Sequence, residues 1–481
     1  MKTLKSILSK HKVKTLLVLL FLLMSRIYGY SQENYNVLFI AIDDLNDYVS
    51  LLEDYPGIKT PNLDRFSRES ITFNKAYTAA PVCNPSRIAV LTGLNPVTTG
   101  VYENNDHFQS SKQALDATLI PEHFKNNGYR TMWSGKLFHT GTSDHISRPG
   151  KARMNAMWDD MEGSDGGYGP NAKTSSIPKH IKRPGFFEYE SWDGPDEDFP
   201  DVVNTNLTIE RLQQDYDSPF FMSLGIYRPH NPWTAPKRFF DMYPLDEVEL
   251  PKILENDLND IPAIGQEWAK SPVNFQEIRN ADQWKPIVRS YLASISFMDY
   301  NLGRVLDALE KSEYRDNTIV VLWADHGFHM GEKEHFAKYA LWEKTTHTLL
   351  MAKIPNAPQG EIRSQPVNLI DMYPTLIDYC GLPPVNQKLD GISLKPVIED
   401  ANYKREEPSI TYYIKGSAGV RKDNWRYIRY YDGTEELYDH TKDPDEWKNL
   451  AQDSDYDNYK KLLKKWLPEN INEAVGARRT D

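Results

Sequence analysis

Residues 81–93 read P-V-C-N-P-S-R-I-A-V-L-T-G and contain Cys83, one of only two cysteines in 481 residues. A polar stretch gives way there to an amphipathic run, and Pro85 suits the first helical position. Unpaired backbone N–H groups and the positive end of the helix dipole collect at such a start, which favours an anion or a group that reacts with anions. The alternatives are an unreactive thiol beside a helix end, or a disulfide between Cys83 and Cys380.

Two apolar segments rich in β-branched residues are each followed at once by acidic residues. These segments are residues 36–42 and 317–324. Their pattern is typical of strands buried on both faces of a parallel sheet. Asp43 and Asp44 follow the first, and Asp325 and His326 follow the second. Open α/β sheets bind ligands beyond the carboxyl ends of their strands, so the three carboxylates should meet at one edge. Because they would repel one another without a cation, the sequence predicts a site for Ca²⁺ or Mg²⁺.

Other polar residues also follow short strand patterns. Lys136 and His139 come after residues 128–133, and a lysine and a histidine three positions apart can converge on one point. His230 comes after the apolar residues 219–226, again at the carboxyl end of a predicted strand. For Lys136 and His139 the alternative is an ordinary solvated loop position. Lys338 and His347 lie further along the chain, in A-K-Y and T-T-H.

The elements that must position these residues alternate between strand and helix patterns. Residues 277–309 have the apolar spacing of one helix and should cover one face of the sheet. Residues 149–200 show little periodicity, and we expect them to form one wall of a substrate cleft. That wall would carry basic residues and aromatic rings that could stack on a sugar: Lys179, Lys182, Arg183, Phe186 and Trp192.

Beyond about residue 400 the pattern changes to short alternating strands, followed by a helix over about 456–466. The sequence therefore predicts an α/β fold. Its large, mostly parallel but mixed β-sheet is sandwiched by helices, and a smaller C-terminal subdomain combines an antiparallel sheet with a helix. We predict a signal peptide at residues 1–31, a catalytic domain at 32–400 and the C-terminal subdomain at 401–481.

The first residues combine several lysines, an apolar run over 16–24 and small or polar residues after it. This pattern is typical of a secretory signal, so we expect a periplasmic or secreted protein. No cysteine before position 83 offers a lipidation site, and no later run is apolar enough to span a bilayer, so no stable membrane insertion is expected. The formal net charge is −12, which argues against nucleic acid as a partner. An anionic substrate would need positive charge concentrated in one cleft.

A set of motifs along the chain resembles one enzyme family. In order they are V-L-F-I-A-I-D-D, C-N-P-S-R, G-K-L-F-H, R-P-H-N-P, A-D-H-G, A-K-Y and E-L-Y-D-H-T-K-D-P-D-E. Together they resemble the type I, formylglycine-dependent sulfatases of the alkaline phosphatase superfamily, and most of all the iduronate-2-sulfatase branch. The resemblance implies that a maturation enzyme oxidises Cys83 to formylglycine. It also implies that residue 83 shares one Ca²⁺ with Asp43, Asp44, Asp325 and His326.

The same resemblance implies a role for each remaining motif residue. An aldehyde at position 83 hydrates to a diol, and one hydroxyl attacks the sulfur of the substrate. Lys136, Lys338 and Arg87 would neutralise the sulfate oxygens or hold the diol, and His230 would protonate the departing sugar oxygen. His139 would help to deprotonate the second hydroxyl, whose collapse to the aldehyde expels sulfate. The implied substrate is a sulfated sugar of a glycosaminoglycan or of an algal polysaccharide such as ulvan or carrageenan.

Two other functions are compatible with these residues. One is hydrolysis of phosphate or phosphonate esters, because related folds use the same metal edge for phosphoryl transfer. The other is a catalytically silent protein that binds sulfated glycans and whose Cys83 is never modified. Matched assays with aryl sulfate and phosphate esters would separate the two hydrolases, and the intact mass of the exported protein would reveal the state of residue 83.

Overall fold

The computed structural model of the chain describes residues 35–52, 55–139, 147–163, 169–170 and 188–476. The predicted signal peptide at 1–31 lies outside these residues. The predicted cleft residues Lys179, Lys182, Arg183 and Phe186 also lie outside them. Every described residue belongs to one compact unit.

The main sheet has seven strands, and the strand Asn36–Asp43 lies inside it between two parallel neighbours, Thr318–Ala324 and Phe220–Pro229. Leu350–Lys353 runs antiparallel to its neighbours, so the sheet is mixed but mostly parallel. In spatial order the strands are Glu361–Arg363, Ile71–Phe73, Leu350–Lys353, Thr318–Ala324, Asn36–Asp43, Phe220–Pro229 and Arg130–Gly135. The predicted α/β class and the mixed, mostly parallel sheet are confirmed.

The side chains of the strand Asn36–Asp43 alternate between two separate cores. Leu38, Ile40 and Ile42 pack on the face covered by the helix Trp284–Lys311. Val37, Phe39 and Ala41 pack on the opposite face, together with apolar residues of the helix Cys83–Thr92. Because successive side chains of a strand point to opposite faces, one continuous apolar segment supplies both cores. Helices therefore cover the sheet on both sides, as predicted.

Two expectations about local structure were wrong. The single helix expected over 277–309 is two helices, Phe275–Asn280 and Trp284–Lys311. Between them Asp282 has a φ of 56°, a left-handed conformation that ends regular helix. The supposedly aperiodic residues 149–200 contain the helix Lys151–Met157 and the strand Tyr189–Trp192. The remaining helices are Pro61–Ser67, Pro96–Thr99, Lys112–Asp116, Ile120–Asn126, Pro200–Leu212, Lys237–Phe240, Ala263–Ala269, Glu343–Thr346, Met372–Cys380, Lys395–Glu399 and Asp457–Lys464.

The C-terminal part contains a four-stranded antiparallel sheet, as predicted. Its strands are Ser409–Tyr412, Ala418–Lys422, Trp425–Arg429 and Glu435–Asp439. Leu463 of the helix Asp457–Lys464 packs on this sheet against Val420, Tyr427 and Leu437. The domain boundary near residue 400 stays a prediction. The structure also describes three smaller sheets. One contains the strands His347–Thr348, Ala76–Tyr77 and Val367–Asn368. The second pairs His329–Met330 with Phe336–Ala337, and the third pairs Tyr189–Trp192 with Trp233–Pro236.

None of the helices that the structure describes is long and apolar enough to cross a membrane.

Candidate active site

Cys83 lies at the start of the helix Cys83–Thr92, whose N-cap, Val82, is extended. The helix begins two residues before the predicted start at Pro85, so Cys83 itself is the first helical residue. Its side chain is completely buried. Cys83 and Cys380 are both free thiols, and Cys380 ends another helix, Met372–Cys380, within the core. The disulfide alternative is therefore excluded.

Three polar side chains surround the Cys83 sulfur. The Lys338 Nζ lies 3.0 Å from Sγ, His326 Nε2 lies 3.2 Å away, and Asp44 Oδ1 lies 3.5 Å away. Burial raises the pKa of the Cys83 thiol well above its usual value, although the nearby Lys338 ammonium opposes this shift. An unmodified cysteine here would therefore be mainly the protonated thiol, which is a weak nucleophile at neutral pH.

Asp44 and Asp325 come together beside Cys83 from two neighbouring strands. One ligand atom from each of Asp44, Cys83, Asp325 and His326 lies within 4.8 Å of all the others. Asp44 has a φ of 56°, and the regular pairing of its strand is interrupted just before it, between Ile42 and Asp43. Its backbone N–H donates to Asp325 Oδ1 over 3.1 Å. The left-handed backbone of Asp44 is a local strain of the kind that is found at functional sites. The same turn of the backbone points the Asp44 carboxylate towards Cys83.

The protonation of His326 follows from its hydrogen bond. Nδ1 lies 2.9 Å from the carbonyl oxygen of Gly327, and because a carbonyl can only accept, Nδ1 carries the proton. In the neutral ring, Nε2 then presents a lone pair towards Asp44 Oδ1 at 3.3 Å and Asp325 Oδ1 at 3.7 Å. Three atoms whose lone pairs face one point can act together as ligands of a cation. The residues present therefore fit a metal ion, and the carboxylates favour a hard one.

Arg87 holds the acidic residues from behind. It is fully buried, its Nε donates to Asp325 Oδ2 over 2.8 Å, and its Nη2 donates to Asp43 Oδ1 over 3.0 Å. Its Nη1 donates to the carbonyls of Lys136 and Leu137 over 2.6 and 3.2 Å. All three guanidinium nitrogens are thus used within the protein. The structure places Arg87 as the support of the carboxylate edge.

Two lysines complete the charge of the cluster. The Lys136 ammonium contacts Asp43 Oδ2 and lies 4.7 Å from the centre of the Tyr227 ring. The Lys338 ammonium contacts both oxygens of Asp44, at 2.7 and 3.0 Å. Burial lowers the pKa of Lys338, but the Asp44 carboxylate outweighs burial, and the pKa lies well above its usual value. Burial likewise raises the pKa of Asp43, yet Lys136, His230 and Arg87 outweigh it and hold that pKa well below normal.

The two predicted proton-transfer histidines lie beside this cluster. His230 follows the strand Phe220–Pro229 directly, its Nδ1 donates to Asn231 O over 2.6 Å, and its Nε2 lies 3.7 Å from Asp44 Oδ2. Burial lowers the pKa of His230 to about 4, although Asp44 and Asp43 oppose it. Burial and the charge of Lys136 hold the pKa of His139 well below normal, and its Nδ1 has no hydrogen-bond partner among the described residues.

Two other predicted residues lie apart from the sulfur. His347 donates from Nε2 to Asn74 O over 3.0 Å, and its Nδ1 lies 3.7 Å from Asp47 Oδ2. It is therefore held by a separate acidic group. Trp192 belongs to the strand Tyr189–Trp192, and its Nε1 donates to Asp198 Oδ2 over 3.1 Å.

Three residues of the site were not recognised in the sequence. Ser86 donates to the carbonyl of Asp325 over 2.6 Å, and Tyr291 donates to the carbonyl of Asp44 over 2.7 Å. His335 lies 2.8 Å from the carbonyl of Lys338. Ser86 stands inside the C-N-P-S-R motif, so its position was a signal. Tyr291 falls within residues 277–309, whose apolar spacing predicted only a helix that covers the sheet, so its hydroxyl was the only hint of a polar role.

Comparisons with known proteins found matches over most of this chain. Residues 35–382 match the family model described as Sulfatase, and residues 331–473 match the model described as N-sulphoglucosamine sulphohydrolase, C-terminal. A Formosa agariphila protein named Sulfatase is 38% identical over 449 residues, which is 90% of this chain and 86% of that protein. The iduronate 2-sulfatase of Homo sapiens is 30% identical over 399 residues, which is 72% of this chain and 69% of that protein.

A solved structure also shares the fold. The phosphonate monoester hydrolase of Silicibacter pomeroyi aligns with a TM-score of 0.72 over 90% of this chain and 94% of that chain. The two sequences are 20% identical, so this likeness concerns the fold alone.

Proposed function

The chain belongs to the sulfatase family and is a sulfuric ester hydrolase, and we propose that its substrate is a sugar of a sulfated polysaccharide or of its oligosaccharides. The similarity to iduronate 2-sulfatase, an enzyme named for a sugar acid, supports this substrate class. The pattern of residues 1–31 supports export to the periplasm or the medium, where the enzyme would meet such polymers. The candidate polymers are glycosaminoglycans and algal polysaccharides such as ulvan or carrageenan.

The nucleophile in this proposal is formylglycine made from Cys83 by a maturation enzyme. The observation that carries the proposal is the position of the Cys83 sulfur, buried at a helix start and contacted by Lys338, His326 and Asp44. A protonated thiol at this position remains a weak nucleophile despite these neighbours. A hydrated aldehyde at the same position has two hydroxyl groups: one attacks sulfur and displaces the sugar oxygen, and loss of the proton from the other breaks the bond to sulfate and restores the aldehyde.

Asp43, Asp44, Asp325 and His326 would hold Ca²⁺ together with residue 83. Calcium, when bound, would lower the pKa of a hydroxyl group at position 83 and offset the negative charge of the sulfate. Arg87 acts through these residues, since its contacts fix Asp43 and Asp325 in place. An imidazole is an unusual ligand for calcium, so His326 is the ligand whose replacement should affect binding least.

The remaining charged residues act on the substrate. Lys338 lies beside Cys83 and Asp44, so its ammonium would neutralise a sulfate oxygen close to the point of attack. Lys136 would do the same from the Asp43 side. His230, whose Nε2 lies 3.7 Å from Asp44 Oδ2, would protonate the leaving sugar oxygen, and His139 would accept the proton of the second hydroxyl.

Two measurements on the exported protein test this function. Intact mass spectrometry should show formylglycine at position 83, and Cys83→Ala protein should release no sulfate from any ester. Matched aryl sulfate and aryl phosphate esters should then show higher kcat/KM for the sulfate. Unmodified cysteine in fully active protein would exclude the formylglycine mechanism, and a preference for phosphate would favour the phosphoester hydrolase.

A further inference from the structure

Two cavities on the C-terminal antiparallel sheet share one wall, formed by Lys422, Asp423 and Asn424 at the turn between two strands. One cavity, of about 430 Å³, lies between this turn and the helix Asp457–Lys464. The other, of about 660 Å³, lies between the turn and residues 401–406. We call these two adjacent cavities together the C-terminal groove. Among the described residues, its lining and the Cys83 site have no member in common.

One half of the C-terminal groove is aromatic. The rings of Trp425 and Tyr459 stack with centroids 4.1 Å apart and an interplanar angle of 25°, and Tyr459 is 42% exposed. The ring of Trp466 carries the ammonium groups of Lys422 and Lys465 at 5.7 and 5.4 Å from its centre. Large, partly exposed rings at a cavity offer an apolar face with polar edges, which suits the apolar face of a sugar ring.

The charged lining is mainly basic, although the whole chain has a net charge of −12. Five basic residues, Lys75, Lys404, Arg405, Lys422 and Lys465, face three acidic ones, Glu406, Asp423 and Asp439. Arg405 pairs with the buried Asp371, and Asp439 pairs with Lys442 over 3.3 Å, so both charges are partly neutralised. Lys75 donates to Asn424 over 3.0 Å, and burial together with the nearby charge of Arg421 lowers its pKa. Positive charge is therefore crowded here without enough carboxylates to balance it.

We propose that the C-terminal groove is a second carbohydrate site, which binds an anionic oligosaccharide through its basic residues and stacks sugar rings on Trp425, Tyr459 and Trp466. Stacking selects a sugar, and the basic lining selects sulfate or carboxylate groups on it. Neutral sugars should bind poorly, because they would leave the lysines uncompensated.

The groove is close enough to the Cys83 site for one polymer to reach both. Lys75 precedes Cys83 by eight residues, so their Cα atoms can be at most roughly 28 Å apart. A chain held in the groove would keep its sulfated units near the Cys83 site and raise their effective concentration there. This consequence rests on the proposed function, whereas binding itself does not.

The test measures binding of heparin, which is sulfated and rich in uronate, by affinity electrophoresis. Lys404→Glu with Lys465→Glu reverses two exposed charges of the groove, and Lys448→Glu with Lys461→Glu makes the same charge change at exposed positions outside it. All variants carry Cys83→Ala, so that no sulfate is released. We expect the groove variant to bind heparin about tenfold more weakly and the control to stay near the parent, with dextran bound by neither. Tyr459→Ala should also weaken binding.

A parallel assay measures hydrolysis of 4-nitrophenyl sulfate by proteins that retain Cys83. It checks that the groove substitutions leave catalysis intact. Equal heparin affinity of the groove variant and the parent would overturn the proposal. An equal loss in the groove variant and the control would overturn it too, because the effect would then be one of net charge. Protein that binds heparin through the groove but releases no sulfate from any ester would instead contradict the proposed function.

Discussion

His335 Nε2 lies 2.8 Å from the backbone carbonyl oxygen of Lys338, the residue whose ammonium contacts Cys83 and Asp44. The other ring nitrogen, Nδ1, lies 2.9 Å from the carbonyl of Ala269. Burial lowers the pKa of His335, although its hydrogen bonds to these carbonyls oppose the shift, and a neutral ring can donate to only one of the two at a time. Lys338 is flanked by Ala337 and Tyr339, with φ of 103° and 81°. A strained segment of this kind keeps its shape only when neighbouring groups hold it, which makes His335 a positioning residue for Lys338.

We expect His335→Ala to lower kcat on an aryl sulfate by about tenfold or more, because small displacements of a catalytic group are costly. His335→Gln keeps a side-chain donor and should recover part of the loss. The measurement is kcat and KM of folded protein at saturating calcium. His123→Ala removes another buried histidine, which packs on Tyr373 away from the site, and should leave kcat unchanged. If both alanine variants lose only thermal stability, His335 has no positioning role.

Asp325→Asn should reduce both calcium content and activity, since it removes one carboxylate charge from the cluster and weakens the acceptor of Arg87. Metal analysis after dialysis and sulfate release before and after chelation are the measurements. Asp299→Asn provides the control. Asp299 is also buried and accepts backbone N–H groups from Asn62 and Leu63, but it lies outside the cluster. Full activity of metal-free parent protein would contradict the metal site.

The sheet and its two layers were predictable because burial on both faces leaves a clear pattern in one strand. Residues 36–42 are apolar without interruption, and the structure divides them between two cores. The break between Phe275–Asn280 and Trp284–Lys311 was not predictable, because apolar spacing continues across it. It depends on the left-handed conformation of Asp282, which a single aspartate does not announce.

The members of the site were predictable and their contacts were not. The motifs supplied Asp43, Asp44, Asp325 and Cys83. Asp44, Asp325 and Cys83 lie in one group, whereas Asp43 groups with Asp44 and His230. The expected contact of Arg87 with sulfate or the diol depends on which way its side chain points, and the structure turns it towards the carboxylates. His335 and Tyr291 act through hydrogen bonds that span the fold, so no local sequence feature reveals them.

Acid should weaken the contact between the helix Glu343–Thr346 and the C-terminal antiparallel sheet. Glu343 contacts Arg426 and accepts from Arg421 Nε over 3.4 Å, so one carboxylate ties its helix to two strands of that sheet. Burial raises the pKa of Glu343, but Arg426 and Arg421 outweigh it and hold that pKa well below its usual value of 4.5. The stabilisation is therefore complete above about pH 4.5 and is lost as the pH falls through the folded-state pKa.

Glu343→Gln should lower the free energy of unfolding at neutral pH by about 1–3 kcal/mol, because it removes one charged partner of Arg426 while Glu446 still pairs with that guanidinium. It should also flatten the acid limb of a plot of stability against pH, measured by urea unfolding. Glu361→Gln, whose carboxylate is 47% exposed beside Arg363, should change neither by much. An acid limb that is equally steep in Glu343→Gln and in the parent would assign the acid sensitivity to other carboxylates.

The role of His230 can be separated from that of the lysines by changing the leaving group. A sugar alkoxide is a poor leaving group that needs a proton, whereas an aryl oxide leaves without one. His230→Ala should therefore lower kcat on a sulfated sugar by about 10²–10⁴-fold and leave an activated aryl sulfate much less affected. Lys136→Ala and Lys338→Ala, which remove contacts to the sulfate common to both esters, should slow both about equally.

The hydrogen bond of His230 adds a pH dependence to this prediction. Because Nδ1–H donates to Asn231 O, the proton that reaches the leaving oxygen must be carried on Nε2, which requires the imidazolium. Burial holds the pKa at about 4, so the protonated fraction grows as the pH falls towards that value. The ratio of sugar to aryl turnover in the parent should rise on acidification, and His230→Ala should abolish that rise. His347→Ala is the control, since its ring is held by Asn74 and Asp47; if it alone removes the rise, the acid is His347.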